Sequence, residues 1–161
     1  MEALLVWLEG LPLGQLMRTS GVWTYGIVNL THILGVATLF GAVLVLDLRL
    51  LGVWRQVPLV ALEKPTVSLA SCGFALAVSS GVCLITTNAT EYLGNPFLLI
   101  KFAAIGLGVL NVIVVQFLPV WRRRAAEPAS ARQRFGLAVV GGTSLACWLG
   151  AVAAGRMIGY W

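Results

Sequence analysis

Apolar residues run along this chain in four long blocks, and the polar residues collect in the short connections between them. The first block lies in "NLTHILGVATLFGAVLVLDLRLLG", Asn29 to Gly52. Uncharged apolar runs longer than about 18 residues mark helices that cross a bilayer, because about 20 helical residues span its hydrocarbon core. The pattern predicts spans from about Val22 to Leu46, Val67 to Ala89, Asn95 to Leu118 and Phe135 to Tyr160. A β-barrel would show alternating segments of about ten residues instead. The expectation is therefore an all-α integral membrane four-helix bundle, with residues 1–161 forming a single transmembrane domain. Ahead of the first span, "MEALLVWLEGLPLGQLMRTS" is broken by Gly10, Pro12 and Gly14 and lacks the basic start of a secretory signal. It predicts a short interfacial helix, with Trp7 and the leucines inward and Glu2 and Glu9 outward.

Composition narrows the class further. Hydrophobic residues make up 59% of the chain and charged ones 11%, against roughly half and about a quarter in soluble domains. No polar segment is long enough to bury a core of its own. The net charge of +5 does not imply a nucleic-acid partner, because the basic residues sit between spans. Arg49, Arg55 and Lys64 fall in the first connection, and Arg122, Arg123, Arg124, Arg132 and Arg134 in the third. By the positive-inside rule those two connections are cytoplasmic and both termini lie outside. The expected location is a bacterial cytoplasmic (inner) membrane, crossed several times, with lipids as immediate partners. Trp23, Tyr25, Trp121, Tyr160 and Trp161 fall near span ends, as aromatic-belt residues do.

Small residues recur at helical spacing. The fourth span carries Gly142, Ala146, Gly150 and Ala154; the second carries Ser71, Ala75, Ser79 and Cys83, and beside them Gly73, Ala77 and Gly81. Close backbone approach through such rows supplies the attraction that hydrophobicity cannot supply inside lipid. They serve contacts within the bundle or with another subunit, including a second copy. Cys72, Cys83 and Cys147 lie inside spans without metal-type spacing.

Placed by depth, the polar residues suggest a site. At 1.5 Å per residue, His32, the one histidine of the chain, lies roughly 15 Å into the first span. Lys101 lies roughly 9 Å and Arg156 roughly 7 Å in from the outer ends of their spans. Asn29 shares a face with His32 at i, i+3, and Gly81 comes to a similar depth. Lys101 and Arg156 can snorkel outward, with Glu91 as a partner. A mid-membrane imidazole has less freedom and is costly there. It is satisfied by Asn29, Thr38 or a serine of the second span, or else it binds something.

A b-type haem takes an imidazole on iron, small residues that let its ring lie flat, and cations for its propionates. His32 as metal ligand, Gly35, Gly81, Lys101 and Arg156 offer those parts, although one histidine is fewer than the usual two. A quinone or other lipid-like molecule hydrogen-bonded to His32 is the other candidate ligand. Asp47, at the cytoplasmic end of its span, is expected in a structural ion pair alongside Arg49. Copper passage would want clustered Met, His or Cys, whereas Met1, Met17 and Met157 are dispersed. Nucleophile–base pairs, HExxH and phosphate loops are missing, so no enzyme activity is expected.

"THILGVATLFGAVLVLDLRLLG", "NPFLLIKFAAIGLGVLN" and the closing "LACWLGAVAAGRMIGYW" resemble a family of small bacterial membrane proteins of unknown function. The specific parts are the histidine followed fifteen residues later by Asp-Leu-Arg-Leu-Leu-Gly, and the terminal Ala-Gly-Arg with its aromatic end. By that resemblance His32, Asp47, Arg49, Lys101 and Arg156 match the family's polar positions. Members often carry an acidic residue one turn before the histidine, where this chain has Asn29. The resemblance implies a four-helix inner-membrane bundle and no assigned activity. A looser similarity to four-helix cytochrome and copper-resistance membrane domains is an analogy of fold. The expected function is non-enzymatic: a binding module or accessory subunit of a larger membrane complex, holding a haem-like or quinone-like ligand. Transport or tolerance of copper or another small solute is the alternative.

Overall fold

A computed structural model describes residues 2–122 and 130–161, so the expectations placed on Met1, Arg123 and Arg124 lie outside the described residues. The described residues are helical, with no strand. Short helices α1 (Glu2–Glu9) and α2 (Pro12–Thr19) precede α3 (Gly21–Leu51) and α4 (Leu59–Thr87). A 3-10 turn at Ala89–Tyr92 leads into α5 (Pro96–Phe117), then α6 (Pro119–Arg122) and α7 (Ala131–Met157). Gly21–Leu51, Leu59–Thr87, Pro96–Phe117 and Ala131–Tyr160 are long and apolar enough to cross a membrane. Their surfaces show large apolar side chains such as Ile33, Leu34, Ile100, Phe102 and Leu107, which suits lipid and not water. This is an all-α, multi-pass membrane protein.

Local chemistry sets the helix ends. At the end of α3 the Val53 N–H bonds to the Leu48 carbonyl (2.9 Å) and the Gly52 N–H to the Arg49 carbonyl (3.2 Å). Those two bonds form a Schellman motif, which needs a left-handed residue, and Gly52 has φ +103°. Helix α7 begins with a capping box: Ser130 Oγ accepts from the Gln133 N–H (3.3 Å), and Gln133 Oε1 accepts from the Ser130 N–H (2.8 Å). Helix α4 starts eight residues before the predicted Val67 and continues through Pro65. Pro65 cannot donate a backbone bond; next to it the Thr66 hydroxyl donates to the Leu62 carbonyl at 2.7 Å.

The contacts of the chain fall into two compact units. The first holds the chain up to Leu39 together with Ser71–Pro96. Here α3 and α4 run antiparallel, with His32 facing Ser80, Gly35 facing Ala77 and Gly73, and Leu39 facing Gly73. Only the Gly73, Ala77 and Gly81 row makes this contact; Ser71, Ala75 and Ser79 are exposed. Helices α1 and α2 fasten onto the end of α4. Arg18 donates to the carbonyls of Thr87 (2.8 Å), Thr86 (3.4 Å) and Glu9 (2.9 Å), satisfying carbonyls that the helix terminus leaves without partners. Glu9, expected to point outward, stays partly exposed but turns to Thr90 and accepts from its N–H (2.9 Å) and hydroxyl (2.7 Å). Those two bonds, the hydroxyl's foremost, hold its carboxyl below the usual carboxylate range. Leu5 is buried, while Leu4, Val6 and Trp7 stay exposed.

The second unit holds Phe40–Ala70 and Phe97–Trp161. Leu50, Val115, Trp121 and Leu137 form its core, with Leu46, Leu59, Leu118 and Val140 packed around them. Trp121 is thus 3% exposed, its side chain taken up by this core. The buried face of α7 is Leu137, Gly141, Ser144, Trp148, Ala151 and Ala154, so the predicted row survives only at Ala154. Ala146 is exposed. The row is displaced because bulky Trp148 seats on Gly108 of α5, where a Cβ would lie 3.1 Å from the indole.

Candidate functional site

His32 is the sequence-predicted centre, and the first unit determines its surroundings. Its Nδ1 lies 2.9 Å from the Ala77 carbonyl and 3.1 Å from Ser80 Oγ. A carbonyl only accepts, so the network assigns the hydrogen to Nδ1. Ser80 in turn donates to the Leu76 carbonyl at 2.5 Å, which leaves its oxygen to accept from the ring. The imidazole is therefore held in one tautomer and one orientation, and in the neutral ring Nε2 bears the lone pair. Among the partners considered from sequence, the serine of the second span is the one found. Gly81 makes room for the ring: a Cβ there would stand 3.1 Å from His32 Cε1.

Gly35 and Asn29 do not join His32 in a pocket. A Cβ on Gly35 would come 2.7 Å from the Ala77 backbone nitrogen, so α4 itself fills the space that a flat macrocycle would need. Gly81 is likewise covered by the histidine ring. The residues present do not fit a haem seated against Gly35 and Gly81. Asn29, one turn before His32, is exposed. Among the described residues no group of three or more His, Cys, Asp or Glu converges on a point that would hold a metal. Met17 is buried in the first unit and Met157 is exposed at the end of α7. The three cysteines are free.

The expected cations belong to the second unit. Lys101 lays its side chain over Gly155, with Cε 3.5 Å and Nζ 3.6 Å from where a Cβ would be. Arg156 places its guanidinium 4.6 Å from the centre of the Tyr160 ring and also donates to the Tyr160 hydroxyl, a cation–π contact of the kind arginine favours. Glu91, considered as their counter-ion, accepts from the Asn88 side-chain amide at 3.1 Å.

Asp47 and Arg49 correct the sequence expectation. Arg49 does not pair with Asp47; its guanidinium donates to the carbonyls of Val57 (2.7 Å) and Arg55 (3.3 Å) and braces the loop after α3. Asp47, 3% exposed, meets the hydroxyl of Ser144 on α7, and its Oδ2 has no hydrogen-bond partner among the described residues. Sequence reasoning left open which serine of the second span meets His32, and it missed Ser144. Each lies three residues after a small residue at a helix contact, Ala77 and Gly141, and that spacing was the signal available for them.

The family model for DUF6644, a family of unknown function, matches residues 4–161, and the chain belongs to that family. No curated protein and no solved structure matches it.

Proposed function

We propose, since family membership assigns no activity, that this protein is a non-enzymatic binding module that takes up a lipophilic ligand with a hydrogen-bonding head, of the quinone class, at His32. One observation carries the proposal. The imidazole is immobilised inside a membrane-spanning helix by the Ala77 carbonyl and Ser80, against a glycine that a larger residue would push into the ring. Neutral, this ring accepts a hydroxyl proton through Nε2; protonated, it donates to a carbonyl. Apolar surroundings favour both bonds over bulk water. In this proposal the basic connections face the cytoplasm of a bacterial cell, and the chain serves as an accessory subunit of a larger membrane complex.

The test is ligand retention. Protein purified in lipid nanodiscs is extracted with organic solvent and the extract is chromatographed, for the native chain and for His32→Ala. A redox-active lipid held by the native chain and lost in the folded variant supports the proposal. Equal amounts in both, or none in either, overturn it. A larger membrane protein co-purifying in mild detergent supports the accessory-subunit form, and a monodisperse lone chain removes it.

A further inference from the structure

The second unit contains a buried carboxylate that the ligand proposal does not use. Asp47 lies one turn before the end of α3, 3% exposed, within a helix apolar enough to span a membrane. Its neighbour on α7 is Ser144, itself 5% exposed. One turn earlier on α7, Gly141 brings that helix onto α3: a Cβ there would stand 2.8 Å from Leu50 Cβ and 3.1 Å from the Asp47 carbonyl oxygen. The closure excludes water from the carboxyl. Burial and the Ser144 hydroxyl are what act on this group. Arg49 of the same helix is turned toward the Val57 and Arg55 carbonyls, and Asn111 of α5 donates to the Val140 carbonyl at 3.2 Å.

A bare carboxylate in such a place, with Oδ2 lacking any hydrogen-bond partner among the described residues, lacks the pairing that buried charges require. Three occupants can remove the charge. Among the described residues, the basic side chain nearest in sequence, Arg49, is turned to the Val57 and Arg55 carbonyls instead. A hard cation such as Ca2+ or Mg2+ takes about six oxygens, and among the described residues no group of three or more His, Cys, Asp or Glu is placed to hold a metal here. A proton needs one oxygen.

We propose that Asp47 and Ser144 form a proton-binding site in the second unit. The proton sits on Oδ2, and Ser144 donates to the other carboxyl oxygen. Release of the proton leaves an unpaired charge against Gly141 and Leu50, so proton occupancy is coupled to the closure of α7 on α3. The site is independent of whatever His32 binds.

Infrared spectroscopy of the full chain in nanodiscs tests this. At neutral pH the native protein should show a protonated carboxyl C=O band amounting to one group per chain. Asp47→Asn should abolish it. Ser144→Ala keeps the carboxyl but removes the hydrogen bond, so the band should move to higher frequency. His32→Ala should leave the band in place, which separates this proposal from the ligand proposal. A native spectrum without that band, a band unchanged in folded Asp47→Asn, or a band unmoved in Ser144→Ala overturns the assignment. Should Asp47→Asn fail to fold, the native and Ser144→Ala spectra decide the matter.

Discussion

Gly35 of α3 and Gly73 of α4 each occupy the space the other would need for a side chain. A Cβ on Gly35 would meet the Gly73 carbonyl oxygen at 3.1 Å, and a Cβ on Gly73 would meet the Gly35 carbonyl oxygen at 2.8 Å and the Leu39 nitrogen at 2.5 Å. The two backbones touch here, and His32 stands one turn away from the crossing. The position of the imidazole against Ala77 and Ser80 is thus set by two absent methyl groups.

Substituting either glycine should separate the helices. Gly35→Ala and Gly73→Ala are each expected to cost about 1–3 kcal/mol, as overpacking of a tight contact does. Gly26→Ala, on the same helix with nothing within 4 Å, should be neutral or stabilising by up to about 1 kcal/mol through helix propensity. Thermal unfolding in detergent compares the three. Equal losses at Gly26 and Gly35 would show that packing is not the cause.

Arg18 should hold the N-terminal helices in place. Arg18→Ala removes the bonds to Thr86, Thr87 and Glu9. The loss is expected to be no more than about 1.5 kcal/mol, the lower end for a charged donor, because the guanidinium is exposed. Its effect is local: amide exchange should quicken in α2 and at the end of α4 while α7 stays protected. Unchanged exchange in α2 would refute the fastening role.

Acid should loosen the same region. The Thr90 bonds hold the Glu9 carboxyl below its ordinary range, so the contribution is present above the unfolded pKa and is lost as pH falls through the folded one. Amide exchange at Thr90 should therefore rise in the acid range below that of a free glutamate. In Glu9→Gln that pH dependence should flatten. A variant that keeps the native profile would assign the effect elsewhere.

The start of α7 rests on its capping box. Ser130→Ala should destabilise by about 1 kcal/mol, and Gln133→Ala by less. The double variant should lose less than the sum, because each side chain bonds the other's backbone. A strictly additive pair would mean that the two bonds act separately.

Trp148 reports on the second unit. Gly108→Ala brings a methyl to 3.1 Å from its indole, which should shift the ring and change its fluorescence maximum. Gly106→Ala, with nothing within 4 Å, should leave the spectrum unaltered.

Run length, depth and composition are properties of the chain by itself, because the membrane demands the same of any sequence that crosses it. The four spans and the membrane class follow from that demand. Which face of each helix turns inward is a different matter. Apolar residues surround these helices on all sides, so hydrophobicity carries no preferred rotation, and only neighbouring side chains choose one. Trp148 displaced the small-residue row of α7 and set Ser144 beside Asp47. Gly35 and Gly73 set the crossing that turned His32 toward Ser80. Tertiary packing alone decided those two polar meetings, since each joins residues far apart in the chain through a fit of shape.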